Sequence, residues 1–277
     1  MTKSINKQEL EILLLLSAIK KFYAIDFSHY KTASLKRRLQ YNLEKHNLVH
    51  ISELIPHILW NHKNFEDLLF DISIPVTEMY RDPEVYAQIT KKVIPFLKTF
   101  PKSRIWIAGC ATGEEAYSLA ILLLEANYLE HCQIIATDFN QNALTKAELG
   151  IYSQESINSY ALAYLKAGGK YKLTNYFMKK ENMMQIDPEL RTHVSFMQHN
   201  LMDGPPVLNT NLILCRNVFI YFDRELQQKV TDTFYQSLTR GGFLCLGLKE
   251  SLDFLKQKRF SNYDEKYRIY RKSFDSN

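Results

Sequence analysis

The sequence predicts an α/β fold, a doubly wound and mostly parallel sheet preceded by an all-helical domain. Three observations predict it. Residues 5–70 show helical periodicity alone. From residue 84 onward, short apolar runs alternate with helical stretches, as strands joined by crossover helices do. The stretch 157–205 interrupts that rhythm with closely spaced apolar–polar alternation, the mark of a small antiparallel insert.

In the N-terminal domain (1–72), QELEILLLLSAIKKFY is apolar over most of its surface, which predicts a well-buried helix. The next segment, DFSHYKTASLKRRLQYNLEKHNL, contains a second helix with one clear face. Leu35, Leu39 and Leu43 recur at i, i+4 and i+8, while Lys36, Arg37, Gln40 and Tyr41 point elsewhere. Thr32 or Ser34 is the expected cap. Five Lys or Arg and one acid fall between residues 28 and 45, so this helix is basic. Two shorter helices, near 51–60 and 63–70, complete a small bundle.

A linker over 73–83 follows, with Pro75 and Pro83. The second domain is expected over 84–277. A helix at 84–98 leads to strand 104–109, helix 114–127 to strand 133–138, and a helix over 140–148 comes next. An aromatic helical piece at 157–166 ends at Gly168-Gly169, and the insert occupies about 170–200, two or three strands lying outside the parallel sheet. NLILC (211–215) reads as a buried strand, 223–238 as a helix, and 241–248 and 266–272 as final strands close enough to form an antiparallel edge pair.

The bulk composition excludes several classes. Hydrophobic residues make up 46% and charged residues 23%, which is a soluble, foldable balance. The four cysteines form no C-x-x-C pair and sit in apolar runs, so they read as buried thiols of a cytoplasmic protein rather than disulfides or metal ligands. The apolar run at 12–19 is far shorter than the roughly 20 residues that span a bilayer, and no signal peptide precedes it. The net charge of +5 is too small to argue for nucleic acid, and no basic-aromatic groove pattern stands out.

The chemistry gathers at strand ends. IWIAGCATGEEAYS places Gly109 at the end of one strand and Glu114 at the start of a helix, the layout of a nucleotide-binding crossover. The glycines let backbone approach a ligand closely. The stretch has neither G-x-G-x-x-G spacing nor the lysine of a phosphate loop. It offers two carboxylates instead. Glu114 has a plain reading, a favourable charge at a helix start; Glu115, one residue deeper, is the better ligand candidate. Asp138 ends the second strand, 29 residues after Gly109, where an acid either holds ribose hydroxyls or caps the following helix. Arg216, Asn217 and Tyr221 of CRNVFIYFD follow the buried strand at the edge where such sheets bind ligands, and a structural Arg and core Tyr is the competing reading. A ligand with ribose and positive charge but no phosphate suits this set. S-adenosylmethionine has a sulfonium, an α-ammonium and a ribose.

TEMYRD, GCATGEEAYSLA, ATDFNQNALTKAELGIY, HNL and LILCRNVFIYFD occur in this order and at compatible spacings. Together they resemble the CheR family, the S-adenosylmethionine-dependent methyltransferases of chemotaxis receptors, over nearly the whole chain. The resemblance implies a Rossmann-like methyltransferase sheet with a β-subdomain insert behind a helical domain. It implies methylation of receptor glutamate side chains to methyl esters, in the cytoplasm, with S-adenosylhomocysteine as the second product and no metal. By motif position, Thr77, Arg81, Glu115, Asp138, Asn200, Leu201, Arg216 and Asn217 would touch the cofactor, with Arg81 and Tyr221 nearest the methyl transfer. Lys36, Arg37 and Arg38 resemble the family's basic helix that meets the receptor's acidic helices; a solvated helix face is the plain alternative. The expected partner is the cytoplasmic helical region of chemoreceptors, with no nucleic acid, no membrane insertion and a monomeric enzyme.

Four departures mark the chain. Pro75 stands where the family has Asn, MYR replaces FFR (Met79, Tyr80), Ala116 replaces Pro, and GLKE (Leu248, Lys249) replaces GHSE. The insert loop MKKENMMQI has no glycine, unlike that of members that bind a receptor's C-terminal pentapeptide, so no such tether is expected. A methyltransferase of the same fold acting on another acidic protein, and a non-catalytic S-adenosylmethionine-binding regulator, are the alternatives.

Overall fold

The computed structural model describes residues 6–73, 77–255 and 259–273; Pro75 lies outside them. They fall into two compact units, 6–73 together with 221–227, and the remainder.

In the first unit, α1 (Lys7–Tyr23) starts where the Asn6 side chain accepts the Glu9 amide and stops at Ala24, which is left-handed. It buries Ile12, Leu15 and Ile19, one face at i, i+3 and i+7. Leu10, Leu13 and Leu14 are about half exposed, so the expectation of burial on most sides gives way to one buried face. Helix α2 (Thr32–His46) buries Leu35, Leu39 and Leu43 as its spacing requires. Neither Thr32 nor Ser34 caps it: Lys31 holds the N-cap position, without a side-chain bond. A 3-10 turn (Ile51–Glu53), α3 (Leu54–Leu59) and α4 (His62–Ser73) follow. The segment 221–227 joins this unit through 29–31. The Lys31 N–H donates to Tyr221 O at 2.9 Å, Tyr30 bridges Phe222, and His29 Nδ1 lies 2.9 Å from Asp223 Oδ2.

The second unit opens with α5 (Pro83–Gln88), a π-helical turn (Ile89–Val93) and α6 (Ile94–Leu97). The sheet is then built by β1 (Ser103–Ala108), α7 (Glu114–Glu125), β2 (Cys132–Asp138) and α8 (Gln141–Leu149). Next come β3 (Ile151–Ser153), α9 (Gln154–Lys166), β4 (Phe177–Lys180), β5 (Met183–Ile186), α10 (Pro188–Thr192) and β6 (Val194–Gln198). The chain closes with β7 (Thr210–Cys215), α11 (Arg224–Ser237), β8 (Leu238–Leu246), β9 (Phe260–Asp264) and β10 (Ile269–Lys272).

The larger sheet has the order β6-β2-β1-β7-β8-β10-β9. The pairs β2–β6, β1–β2, β1–β7 and β7–β8 are parallel, and β8–β10 and β9–β10 antiparallel. Ile105, Trp106 and Ile107 of β1 are fully buried, as a central strand covered on both faces must be. Because β1 has β2 on one side and β7 on the other, the strand order reverses beside it, which opens a crevice at the carboxyl ends.

The insert differs from expectation in its membership. The small antiparallel sheet is β3-β5-β4, so one strand comes from 151–153, ahead of α9. Val194–Gln198 is not part of it: β6 pairs in parallel with β2 and extends the main sheet. Alternation looked antiparallel there because an edge strand has only one covered face. Buried Glu125 of α7 fastens the insert, accepting the Tyr164 and Tyr176 hydroxyls and the Lys170 amide. All four cysteines are free and buried. Among the described residues, no helix is long and apolar enough to cross a membrane.

Candidate active site

The turn after β1 sets the site. Gly109 (φ 80°), Ala111 (φ 47°) and Gly113 (φ 91°) are all left-handed and fold the chain sharply from strand to helix. The close approach these glycines permit is to the protein itself. A Cβ on Gly109 would lie 2.6 Å from Val218 Cγ2, and one on Gly113 would lie 2.9 Å from Ala147 Cβ.

Asp138 ends β2 and is 9% exposed. Its Oδ2 accepts the Ala111 amide and its Oδ1 the Asn140 amide, both at 2.9 Å. Burial raises its pKa and these backbone donors oppose the rise. The cap of α8 is Asn140, whose side chain accepts the Ala143 amide, so the capping reading of Asp138 falls away. A carboxylate has about four acceptor positions, and Asp138 keeps capacity beyond these bonds.

Arg216, just past β7, is the hub. Its Nη1 donates to Glu115 Oε1 at 2.9 Å. Its Nη2 donates to Arg81 O at 2.7 Å and to Asp82 Oδ2 at 2.9 Å. The guanidinium lies 5.2 Å from the Tyr86 ring centre, and the Tyr86 hydroxyl also reaches Glu115 Oε1, at 3.1 Å. Burial works against the charge of Arg216, but Glu115 holds its pKa above the ordinary value. Two carboxylates thus face one guanidinium, and Glu115 Oε2 has no partner among the described residues.

Glu114 opens α7, but it is buried there. It is 7% exposed, and burial lifts its carboxyl to about 7, against the pull of the Thr112 hydroxyl bonded to Oε2 at 2.6 Å. Asn217 is left-handed (φ 62°) and held by Glu250: Oε2 accepts its amide at 3.0 Å and the Gly247 amide at 2.6 Å, while Oε1 accepts Ile220 N at 3.1 Å. Thr77 and Arg81 are half-buried in the loop before α5, and no hydrogen bond or ion pair engages the Arg81 guanidinium among the described residues. Asn200 accepts the Met202 amide through Oδ1, and Leu201 is buried beside it.

This geometry can be set beside known proteins. The signature described as "CheR methyltransferase, SAM binding domain" matches residues 75–269, and "CheR methyltransferase, all-alpha domain" matches 10–73. A relative from Pseudomonas putida, provisionally named methyltransferase Cher3, is 41% identical over 266 residues, 96% of this chain and 97% of that protein. The chain belongs to the CheR methyltransferase family. The chemotaxis protein methyltransferase of Listeria innocua is 29% identical over 246 residues, 88% of this chain and 91% of its own. Chemotaxis protein methyltransferase 1 of Pseudomonas aeruginosa is 28% identical over 228 residues, 78% and 81% of the two chains.

The residues fit the S-adenosylmethionine of a CheR protein. Glu115 Oε2 and the spare capacity of Asp138 offer acceptors to a cationic, hydroxyl-bearing ligand. Arg216 Nε is a buried donor without a partner, so one donor stands among those acceptors. No lysine stands in the 109–115 turn to attract a phosphate.

Sequence reasoning in CheR terms missed Asp82, Tyr86, Ser118 and Glu250. Glu250 had a signal, an acid just beyond a strand ending in glycine. Tyr86 had none, being one aromatic in an ordinary helix. Tyr221 ends a 3-10 turn (Phe219–Tyr221) and belongs to the first unit. On α2, Arg37 is exposed, Lys36 lies 3.9 Å from Glu9, and Arg38 is half-buried with its Nε buried and unpartnered. The departures Leu248 and Lys249 are half-buried and exposed.

Proposed function

We propose that this chain transfers the methyl group of S-adenosylmethionine to glutamate side chains in the cytoplasmic helices of chemoreceptors, producing methyl esters. The observation that carries the reading is the excess of carboxylate around Arg216 and at the carboxyl ends of β1 and β2. Glu115 and Asp82 face a single guanidinium and buried Asp138 ends β2, an excess of negative charge that suits a cationic nucleoside ligand.

When bound, the cofactor supplies an electrophilic methyl group on sulfur. Asp138 accepts from the ribose hydroxyls. Glu115, Thr77, Asn200, Leu201, Arg216 and Asn217 line the rest of that site. The accepting glutamate is already ionised at neutral pH, so the chain need supply no general base. Its task is placement and exclusion of water. Arg81 presents a planar fork that can orient a carboxylate, and Tyr221 is the second residue proposed to act in the transfer. Lys36, Arg37 and Arg38 recognise the receptor's acidic helix surface. The protein works as a cytoplasmic monomer and needs no metal. The β4–β5 connection is two residues long, Glu181 and Asn182, with no glycine, which supports independence from a receptor pentapeptide.

The test is radiolabelled methyl transfer to receptor-containing membranes, followed by alkali. Base-labile label on the receptor is the expected result. Absence of receptor label, or label stable to alkali, overturns the reading. One observation favours a second substrate. The 41% relative is named a methyltransferase without mention of chemotaxis, whereas the quoted relatives so named are 28–29% identical. Base-labile label on a different acidic protein is the outcome that reading requires.

A further inference from the structure

Arg81 sits between two residues in a conformation that L side chains rarely adopt. Tyr80 has φ 56° and Asp82 has φ 53°. Neither is glycine, and such residues persist only where their surroundings over-determine them. With both neighbours left-handed, the flanking torsions set the direction in which Arg81 leaves the backbone.

The hydroxyl of Tyr80 does not hold this bend: it is buried and has no hydrogen-bond partner. Its ring packs edge-on to Tyr86 and tilted against Tyr164. The backbone holds it instead. The Tyr80 N–H donates to Ser118 Oγ at 3.1 Å, and Ser118 is fully buried on α7. The Ser118 hydroxyl hydrogen goes to Glu114 O at 2.6 Å, which leaves its lone pairs for Tyr80. On the other side of Arg81, Arg216 Nη2 donates to both Arg81 O and Asp82 Oδ2. Asp82 occupies the N-cap position of α5 but makes no cap bond; its carboxylate goes to Arg216. An aspartate there ordinarily caps its own helix.

We infer that Ser118 and Arg216 are positioning residues that clamp the Tyr80–Asp82 bend and so aim Arg81, an inference that rests on the role proposed for Arg81 above. Ser118 fastens the bend to α7 from one side. Arg216 fastens it from the other and, through Glu115, to the same helix. Arg216 acts on the reaction through Arg81 as well as by lining the cofactor site.

The clamp has a readout that needs neither cofactor nor substrate. In the full-length protein, amide hydrogen exchange at Tyr80 and Arg81 is expected to be about tenfold faster in Ser118→Ala, with exchange in β1 and β2 unchanged, since one local hydrogen bond has been removed. Unchanged exchange at Tyr80, or faster exchange throughout, overturns the clamp. The second readout is a cycle with Arg81→Ala. Ser118→Ala is expected to lower kcat for methyl transfer about tenfold, as loss of alignment does, and to cost nothing further once Arg81 is alanine. An equal loss in both backgrounds overturns the inference. Ser118→Thr, which keeps the hydroxyl, is expected to restore slow exchange at Tyr80. Should Ser118→Ala fail to fold, Asp82→Asn goes through the same cycle. Its side chain is 30% exposed, and additivity there is equally fatal. If Arg81→Ala alone leaves transfer intact, the proposed role of Arg81 fails, while the exchange measurement still judges the clamp.

Discussion

Glu250 Oε2 accepts the Asn217 amide at 3.0 Å, and by that bond the turn after β8 fixes the turn that follows β7. The same carboxylate also takes the Gly247 and Ile220 amides, so three backbone donors converge on one side chain. Burial raises its pKa and the three donors resist the rise. Glu250→Ala leaves those donors without it, each loss costing about 1–3 kcal/mol where the site stays dry. We expect destabilisation of roughly 3–5 kcal/mol, seen as a fall of about 6–20 °C in Tm for a domain of this size. Thermal unfolding of the purified variant measures it, and a change under 2 °C or so would refute the role.

Arg81 presents the opposite case. Its guanidinium has no partner among the described residues, so the fold does not depend on it. Arg81→Ala should leave Tm within about 2 °C, as for substitutions that break no buried contact. It should lower methyl transfer by roughly 10²-fold or more, the scale of a lost positioning contact. Unfolding and initial-rate measurements on one preparation separate the two effects. A variant with near-wild-type rates contradicts the assignment.

Glu114 makes stability depend on pH in a calculable direction. Its carboxyl titrates near 7 in the folded protein, against 4.5 for the exposed group. Between those values the folded protein keeps a proton that the unfolded chain has lost. Stability from this group is therefore fully present below pH 4.5 and lost as pH rises through 7. The penalty for the ionised form is about 3 kcal/mol. Glu114→Gln stays neutral and can still accept from Thr112. By urea denaturation, variant and wild type should lie within about 1 kcal/mol at pH 5, with the variant more stable by about 3 kcal/mol at pH 8.5. A gap that does not widen with pH rules out a buried, strained carboxylate.

Much of this was legible in the sequence because the physics was local. Strands β1, β2 and β7 are apolar runs ending in glycine or polar residues, and Asp138 ends β2 while Glu115 and Arg216 follow β1 and β7. Long-range partners were not legible. Nothing local says that Arg216 meets Asp82, 134 residues earlier, or that Ser118 holds Tyr80. The strand β6 was misplaced because alternation reports one-sided burial and carries no strand direction. The left-handed Tyr80 and Asp82 escaped notice because tertiary bonds, not residue type, impose them.

The basic face of α2 gives the last expectation. Arg37 is exposed, and Lys36 is only loosely paired with Glu9 at 3.9 Å, so both remain available to an acidic helix. Contacts between such charges are screened beyond about 8 Å at physiological ionic strength. Receptor KM should therefore rise with salt while the affinity for S-adenosylhomocysteine stays nearly constant. Arg37→Glu should raise receptor KM roughly tenfold at low salt, and raising the salt should shrink that difference, because screening weakens repulsion as well as attraction. The substitution lies on an exposed helix face and should change stability by no more than about 0.5 kcal/mol. Steady-state methylation at several salt concentrations, with cofactor binding followed by calorimetry, checks each part. A receptor KM indifferent to both salt and Arg37 would place receptor recognition on another surface.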